Sequence, residues 1–219
     1  MPAMSDCCTP KGYRQVFSEK SAHAQAKRYR RKGPEGTSRR LVELLKQRSL
    51  QGRTLVEVGG GVGGIQIELL KRGLAGAVSI ELTPTYEGAA GALLRDEGFQ
   101  GRVERRVLDF AESASEVAPA DFVVMNRVIC CYPDMPRLVG AAADRTRELL
   151  VLSFPKQRWW TRVGLALSNL ALRVGRRQFH VFLHPPERIL ETAEQHGLTT
   201  VLNEPGLFWQ VAMLERSAG

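Results

Sequence analysis

The sequence predicts an α/β protein in which helices cover both faces of a largely parallel, doubly wound sheet. Short apolar segments that read as strands alternate with helical segments between residues 54 and 197, a pattern typical of such folds. Within residues 54–64 the first strand leads directly into a glycine-rich turn, and residues 65–70 read as a helix. Two consecutive strands follow the last helix, which indicates an antiparallel hairpin that closes the sheet.

Length, composition and charge narrow the class of protein. A chain of 219 residues with 43% hydrophobic residues can fill one core. The net charge is +8, and residues 11–53 alone hold 13 basic and 3 acidic residues. The start of the chain lacks the apolar core of a signal peptide, and no apolar run approaches the ~18–20 residues of a membrane span. We therefore expect a cytoplasmic protein.

The four cysteines form two adjacent pairs, Cys7 with Cys8 and Cys130 with Cys131. Neighbouring cysteines rarely bridge each other, and neither pair has the spacing of a metal-binding motif. We interpret them as reduced thiols and expect no metal site.

The segment before the first strand divides into a tail and a helical cap. Residues 1–12 contain two prolines and a glycine and are expected to be disordered. Residues 13–53 are expected to form an N-terminal helical cap of two helices, residues 16–32 and 38–47, of which the first is strongly basic. Its charge suits an anionic partner or a solvated surface equally well.

The glycine-rich turn is the strongest functional signal. Glycine lets a backbone approach a ligand closely, and the helix that follows offers free N–H groups to an anionic group. Gly59, Gly61 and Gly64 fit the dinucleotide spacing, whereas Glu57 with Gly59, Gly61 and Gly63 fits an acidic E-x-G-x-G-x-G pattern. The carboxylate of Glu57 favours the second pattern, because it would repel a pyrophosphate but can support an ammonium group.

An acidic residue ends the second predicted strand. Glu81 follows residues 77–80 and lies 20 residues after Gly61. A carboxylate there can accept hydrogen bonds from the hydroxyls of a ribose. We therefore predict that Glu81 and the adjacent Leu82 contact a nucleoside cofactor.

A second acid follows the third predicted strand, residues 103–108, which comes after a helix at residues 84–96. The carboxylate of Asp109 can accept from an adenine amino group while Phe110 stacks on the ring. Asp109 can also cap a short helix that runs through Ala114, and both roles are compatible.

Polar residues follow the fourth predicted strand, residues 121–125. Because the carboxyl ends of parallel strands meet at one edge of a sheet, we expect Asn126 to contact the cofactor and Arg127 the substrate. Tyr132 lies a few residues further on and is a candidate catalytic group.

The predicted helix 134–146 and strand 149–154 are followed by an unusual helical insert, residues 156–177. It has an apolar centre, the adjacent Trp159 and Trp160, and arginines at both ends. We predict that the two tryptophans cap an apolar substrate. An interfacial membrane helix and an ordinary core helix with basic ends are the alternatives.

Two histidines follow the insert and complete the set of candidate catalytic residues, His180 and His184. The last helix is predicted at residues 187–196, and the closing strands at residues 199–203 and 208–215.

Taken together, residues 54–219 resemble the class I S-adenosylmethionine-dependent methyltransferases. The resemblance implies a Rossmann-like, doubly wound, seven-stranded sheet, with S-adenosyl-L-methionine as cofactor. It implies transfer of the methyl group to a small, apolar or anionic acceptor, with O-methylation favoured. The cofactor-binding residues would be Glu57, Gly59, Gly61, Gly63, Glu81, Leu82, Asp109, Phe110 and Asn126.

A narrower resemblance rests on residues 128–134, VICCYPD, and on the N-terminal helical cap. Both are similar to the magnesium-protoporphyrin O-methyltransferase-like branch of the class. Members of that branch often carry histidine or tyrosine where this chain has Cys131, so the departure affects the acceptor rather than the cofactor.

Several other functions remain open. An NAD-linked oxidoreductase is opposed by Glu57 and by the closing hairpin. The basic cap would suit an RNA or protein methyltransferase, but no Asn-Pro-Pro-Tyr-type motif follows the fourth strand, so nucleic acid is disfavoured. A donor-binding protein without catalysis and a peripheral contact with a membrane are also compatible with the sequence, which makes no prediction of oligomeric state.

Overall fold

The computed structural model describes residues 12–217, which form one seven-stranded sheet with helices on both faces. Its strands are β1 (Thr54–Val58), β2 (Gly76–Glu81), β3 (Val103–Val107), β4 (Ala120–Asn126), β5 (Thr146–Pro155), β6 (Leu198–Pro205) and β7 (Trp209–Arg216). Its helices are α1 (Tyr13–Val16), α2 (Glu19–Lys32), α3 (Gly36–Leu45), α4 (Gly64–Leu70), α5 (Glu87–Asp96), α6 (Phe110–Ser113), α7 (Met135–Asp144), α8 (Trp159–Val174) and α9 (Pro186–Gln195). The predicted tail up to Lys11, including Cys7 and Cys8, lies outside the described residues.

The strand order is β3-β2-β1-β4-β5-β7-β6. Strands β1 to β5 are parallel, and β7 runs antiparallel to both β5 and β6. The order reverses between β1 and β4, and ligands bind in the crevice at the carboxyl ends of the strands on either side of such a reversal. The predicted Rossmann-like doubly wound sheet with its closing antiparallel hairpin is confirmed.

Alternate residues of the central strands face opposite sides of the sheet and fill two separate cores. In β4, Val123 and Met125 pack with α7 and α9, whereas Phe122 and Val124 pack with α3 and α4. These side chains are almost completely buried. Burial on both faces explains why the central strands read as continuous apolar runs in the sequence.

The N-terminal helices hold one side of the crevice. On α2, Ala22, Ala26 and Tyr29 are buried against the glycine-rich turn and α5. The predicted start of the helix 16–32 is wrong, because Val16 ends α1 and the long helix α2 begins only at Glu19. Ser18 caps α2 by accepting a hydrogen bond from the Ser21 N–H at 3.3 Å.

Two further predicted boundaries need correction. The predicted helix 134–146 ends at Asp144, and Thr146 already pairs with Ala120 as the first residue of β5. The predicted helix 84–96 begins as a 3-10 turn at Pro84–Tyr86 before it continues as α5. In both cases the helical pattern of the sequence extends past the helix itself. It runs into strand β5 in the first case and into the 3-10 turn in the second.

The predicted insert contains α8, which follows β5. Thr161 is its one fully buried residue, and most of its large apolar side chains are exposed. None of the helices described between residues 12 and 217 is long and apolar enough to cross a membrane.

Candidate active site at the carboxyl ends of the strands

A cavity of about 600 Å³ lies at the carboxyl ends of β1, β2 and β4 and beneath the N-terminal helices. Most of the predicted site residues line it: Glu57, Gly59, Gly61, Glu81, Leu82, Asp109, Phe110, Asn126, Arg127 and Tyr132. Gly63 lies behind the turn instead, as the residue before α4. The sheet therefore gathers acids and glycines that are far apart in the chain into one site.

Backbone geometry explains the glycines of the turn. Gly61 has a φ of +63°, and a methyl group there would lie 2.8 Å from the Gln25 side chain. Gly63 has a φ of +81°, and a methyl group there would lie 2.0 Å from Gln66 Nε2. Left-handed backbone conformations favour glycine, so both positions exclude larger residues on conformational and steric grounds.

Glu57, beside this turn, has a buried carboxylate oxygen without a hydrogen-bond donor among the described residues. Its side chain is buried, and Oε2 has no hydrogen-bond partner among the described residues. Burial raises the pKa of Glu57 to about 7, and a hydrogen bond from the Gln66 backbone N–H only partly offsets it. A buried acceptor without a partner is costly in a native protein, and a cationic ligand group in the adjacent cavity would relieve that cost.

Glu81 links the end of β2 to the glycine-rich turn. Its Oε1 accepts a hydrogen bond from the Gly61 N–H at 2.5 Å. Burial raises the pKa of Glu81 to about 7, although the Gly61 N–H and the charge of Arg105 both favour the carboxylate. Glu81 therefore shapes the turn as well as facing the cavity.

Arg105 supports the turn and was missed in the sequence. Its guanidinium donates to the Gly61 carbonyl at 3.2 Å and to the Ser79 hydroxyl at 3.0 Å, and it forms an ion pair with Glu87 at 2.8 Å. Arg105 lies on the edge strand β3 and has no distinctive spacing in the sequence, so only the folded contacts reveal this role.

Asp109 and Tyr132 form a hydrogen-bonded pair at the cavity wall. The Tyr132 hydroxyl donates to the Asp109 carboxylate, with O···O distances of 2.9 and 3.0 Å. Asp109 also accepts from the Ala111 N–H at 3.1 Å, so its predicted role as a helix cap is confirmed. Burial and the neighbouring Asp109 raise the pKa of Tyr132 well above its ordinary value, which keeps the phenol protonated.

Asn126 ties the end of β4 to α3. Its amide donates to the Ser38 hydroxyl at 2.8 Å, and its carbonyl oxygen accepts from the Ser153 hydroxyl at 2.6 Å. The amide of Asn126 thus joins α3 to the sheet, and its carbonyl oxygen joins the end of β4 to β5. Its predicted contact with the cofactor stays a prediction.

Arg127 adopts a left-handed conformation, with a φ of +62°. Its Nε donates to the Thr37 hydroxyl at 2.7 Å, and its guanidinium lies 4.9 Å from the centre of the Trp209 ring. Burial lowers the pKa of Arg127, and the charge of Arg28 lowers it further. Both arginines line the cavity.

A family model described as a methyltransferase domain matches residues 26–203, which is most of the chain and includes the whole glycine-rich turn. The chain belongs to this methyltransferase family. The match, together with the observed sheet, sets aside the NAD-linked oxidoreductase considered from the glycine spacing alone.

Solved structures share the fold of the methyltransferase at low sequence identity. An O-methyltransferase family protein from Burkholderia thailandensis is 20% identical, with a TM-score of 0.73 over 96% of this chain and 64% of that one. Magnesium protoporphyrin IX methyltransferase from Synechocystis, solved with bound S-adenosylhomocysteine, is 17% identical, with a TM-score of 0.69 over 93% of this chain and 99% of that one. An O-methyltransferase family 2 protein from Planctomyces limnophilus, in complex with apigenin, is 19% identical, with a TM-score of 0.67 over 90% of this chain and 61% of that one.

The chain thus spans under two thirds of the first of these proteins and nearly all of the second. Sequence comparison with curated proteins gives no match.

S-adenosylmethionine is the cofactor of the methyltransferase. The residues at the site fit this ligand in two respects. Gly61 brings the backbone of the turn to the cavity wall without a side chain. Glu57, Glu81 and Asp109 offer carboxylates to a cationic nucleoside. The assignment of single residues to the ribose, the adenine and the methionine moiety stays a prediction.

Four of the predicted catalytic or substrate residues lie outside the cavity lining. His184 is half-buried, with Nε2 2.9 Å from the Tyr132 carbonyl oxygen, and His180 is exposed beside Asn169. Trp159 and Trp160 are 72% and 41% exposed on α8. The structure therefore does not bring the predicted cap over the acceptor, because the face of α8 that contains Thr161 turns inward and the tryptophans do not.

Lining residues at α1 and α2 that were missed as site residues are Tyr13, Phe17, Gln25 and Tyr29, and Arg28 of the basic segment lines the cavity as well. Tyr13 donates a hydrogen bond to the Cys131 carbonyl and so joins α1 to the end of β4. The spacing of Gln25, Arg28 and Tyr29 places them on one face of α2, and this was the available signal.

Cys130 and Cys131 are free thiols, as predicted, with their sulfurs 3.8 Å apart. Among residues 12–217 no group of three or more histidine, cysteine or acidic side chains is arranged to bind a metal.

Proposed function

We propose that the methyltransferase transfers a methyl group to an oxygen of a small acceptor that combines an anionic group with an apolar body. The observation that carries the proposal is a pair of arginines in the cavity lining, Arg28 and Arg127. Neither forms an ion pair with another residue of the described range 12–217. A guanidinium group binds a carboxylate through two parallel hydrogen bonds, so the pair suits a carboxylate ligand.

Aromatic residues line the cavity near the same helices. Tyr13 and Phe17 pack with ring centres 5.7 Å apart, and the ring of Tyr29 on α2 is buried. Such rings favour an apolar or planar body through burial of their faces. The acceptor that fits both features is an amphipathic carboxylic acid.

A carboxylate acceptor also agrees with the titratable groups of the site. S-adenosylmethionine supplies an electrophilic methyl group, and a carboxylate oxygen attacks it without first losing a proton. The described lining contains no histidine, and the Tyr132 hydroxyl stays protonated and donates a hydrogen bond to Asp109. The residues then contribute by holding the acceptor in line and by excluding water rather than by general base catalysis.

Matched acceptor pairs test the proposal. The protein is incubated with S-adenosylmethionine and with aromatic or long-chain carboxylic acids, each beside its own primary amide, and methylated products are detected by mass spectrometry. We expect methyl esters from the acids and no product from the amides. Methylation of the amides, or of phenols but not acids, would contradict the proposal.

Arg28→Gln gives a second test, with Arg31→Gln as the matched control. Both arginines are exposed on α2, but only Arg28 lines the cavity. We expect Arg28→Gln to raise the KM for the acid at least about tenfold at nearly unchanged kcat, because a charge-assisted hydrogen bond contributes roughly 1.5–3 kcal/mol. Arg31→Gln should leave both constants unchanged.

A further inference from the structure

Helix α8 presents an apolar stripe that no described residue covers. The exposed residues recur at spacings of four, four, three and four, so they lie along one side of the helix. Each is more than half exposed: Trp159 (72%), Val163 (51%), Leu167 (61%), Leu170 (55%) and Val174 (76%). A monomeric protein rarely leaves such a contiguous apolar surface in water without a function for it.

The opposite side of α8 packs against the rest of the protein. Thr161 is buried, and the Asn169 side chain donates to the Val181 carbonyl at 2.8 Å and accepts from the Val181 N–H at 2.9 Å. The stripe is therefore not a core face that has failed to pack. It is a second, outward surface of a helix whose first surface is docked.

The charges around the stripe have one sign. Residues 156–186 contain no aspartate or glutamate and six basic residues: Lys156, Arg158, Arg162, Arg173, Arg176 and Arg177. None of the six forms an ion pair with a residue of the described chain, whereas arginines elsewhere, such as Arg30 with Asp96 at 2.6 Å, do. The positive charge around the stripe therefore favours an anionic partner.

The hairpin of β6 and β7 extends the apolar surface at the start of α8. The Lys156 N–H donates to the Phe208 carbonyl at 2.8 Å, so the turn between the two strands lies beside the first residues of the insert. Leu207 in this turn is 89% exposed, and Phe208 is 37% exposed. Two separate segments thus contribute exposed apolar side chains near the start of α8.

We propose that α8 and the adjacent turn lie on the surface of a bilayer that contains anionic lipids. The apolar stripe would enter the boundary of the acyl chains, and the arginines would contact lipid phosphates, as in interfacial amphipathic helices. Sixteen residues span only ~24 Å as a helix, less than the ~30 Å hydrocarbon core, so the helix lies in the interface rather than across it. A second copy of the chain is a poorer occupant, because two surfaces with the same excess of positive charge would meet.

The position of α8 links this surface to the cavity. The chain after α8 places the Phe179 ring against Tyr13 and Phe17, with ring centres 5.3 and 5.5 Å apart, and both of these residues line the cavity. When the protein is bound to a membrane through α8, an amphipathic acceptor could enter the cavity directly from the lipid phase. This last step rests on the proposed function, whereas the docking itself does not.

Co-sedimentation with vesicles tests the docking. The full chain is mixed with vesicles of phosphatidylcholine alone or of phosphatidylcholine and phosphatidylglycerol in equal parts, and the bound fraction is measured at low and high salt. We expect binding to the anionic vesicles that weakens at high salt. Protein that stays in the supernatant with anionic vesicles at low salt overturns the proposal.

Three variants of α8 locate the contact. Leu167→Asp and Leu170→Asp place a charge on the stripe and should each lower the partition coefficient at least about tenfold, because burial of a leucine is lost and a charge is added. Ser168→Asp adds the same charge to an exposed position on the opposite side of the same helix and should have a small effect. Equal losses in all three variants would contradict docking through the stripe.

Substitution of the flanking arginines separates the lipid charge from the apolar contact. Arg162→Gln and Arg173→Gln should each weaken binding to anionic vesicles roughly fivefold, with a smaller effect at high salt. Lipids with brominated acyl chains should quench the fluorescence of Trp159. Unquenched fluorescence in a bound sample, or a wild-type dimer that Leu167→Asp converts to a monomer, would show that another surface or a second copy is involved.

Donor binding distinguishes failure of this proposal from failure of the proposed function. S-adenosylhomocysteine should raise the Tm of the wild type and of all these variants by the same amount, since α8 does not line the cavity. A chain that binds vesicles but methylates no carboxylate keeps the docking and loses the proposed function. If the wild type and all variants methylate soluble acids equally well but none binds vesicles, the proposed function is kept and the docking is lost.

Discussion

The two ends of the cavity are built in different ways. At the end that we assign to the donor, Glu57, Glu81 and Asp109 come from the ends of β1, β2 and β3, which are neighbours in the sheet. At the end that we propose for the acceptor, residues from α1 and α2 meet the segment after β4, which is distant in the chain. The donor end is therefore fixed by the core of the sheet, and the acceptor end by contacts between an arm and that core. We expect the first to be intolerant of substitution and the second to be adjustable.

The largest expected effect is loss of donor binding at the glycine-rich turn. Gly61→Val forces a β-branched residue into a left-handed conformation, which costs ~1–3 kcal/mol, and directs its side chain toward Gln25. We expect the affinity for S-adenosylhomocysteine to fall at least about a hundredfold by calorimetry.

Gly98→Val is the control for backbone strain alone. Gly98 has a φ of +75° but no neighbouring atom within 4 Å of an added methyl group. It should lower the Tm and leave the affinity for the donor product intact. A similar loss of affinity in both variants would mean that strain, and not the shape of the donor end, limits binding.

The meeting of three acids at one end of the cavity was largely predictable because the topology of a parallel sheet brings successive strand ends together. Glu57, Glu81 and Asp109 needed only correctly placed strands to be recognised as neighbours. The acceptor end depends on long-range contacts that no local pattern encodes: Tyr13 bonds to Cys131 across 118 residues. The sequence also did not predict which face of α8 packs against the protein. An apolar helix with basic ends does not show in its sequence which side is buried.

A loss of intermediate size is expected for a carboxylate of the donor end. Glu81→Ala removes the acceptor of the Gly61 N–H and of the predicted ribose hydroxyls. Charge-assisted hydrogen bonds contribute on the order of 1.5–3 kcal/mol, so affinity for the donor product should fall roughly ten- to a hundredfold. Glu104→Ala, on the exposed side of β3, is the control. An unchanged dissociation constant in a folded Glu81→Ala variant would contradict the ribose assignment.

Donor binding should also depend on pH. In the free protein the pKa values of Glu57 and Glu81 are raised to about 7, so both carboxyls are largely protonated at pH 6. A cationic donor requires them ionised, and affinity should therefore fall by up to about tenfold per group between pH 8 and pH 6. Calorimetry at several pH values measures the slope, and Glu81→Gln should reduce it.

Stability of the free protein should show the opposite trend. The folded pKa of about 7 exceeds the ordinary value of 4.5 for both groups, so the native state binds more protons than the unfolded state between these values. The free energy of unfolding contributed by Glu57 and Glu81 therefore decreases as pH rises from about 4.5 to 7. Urea titrations of the wild type and of Glu57→Gln, compared over this range, test the sign.

The smallest effect is expected at Tyr132, where the donor and acceptor ends meet. Tyr132→Phe removes the hydroxyl that donates to both oxygens of Asp109 and leaves the ring in its buried position. If Tyr132 only positions Asp109, affinity for the donor should fall no more than about fivefold, because one hydrogen bond contributes roughly 1 kcal/mol, and kcat and its pH profile should be unchanged. Its raised pKa makes it a poor base near neutral pH. A fall in kcat of more than about a hundredfold, with loss of one limb of the pH profile, would instead place Tyr132 among the groups that move a proton and would favour a hydroxyl over a carboxylate as the acceptor.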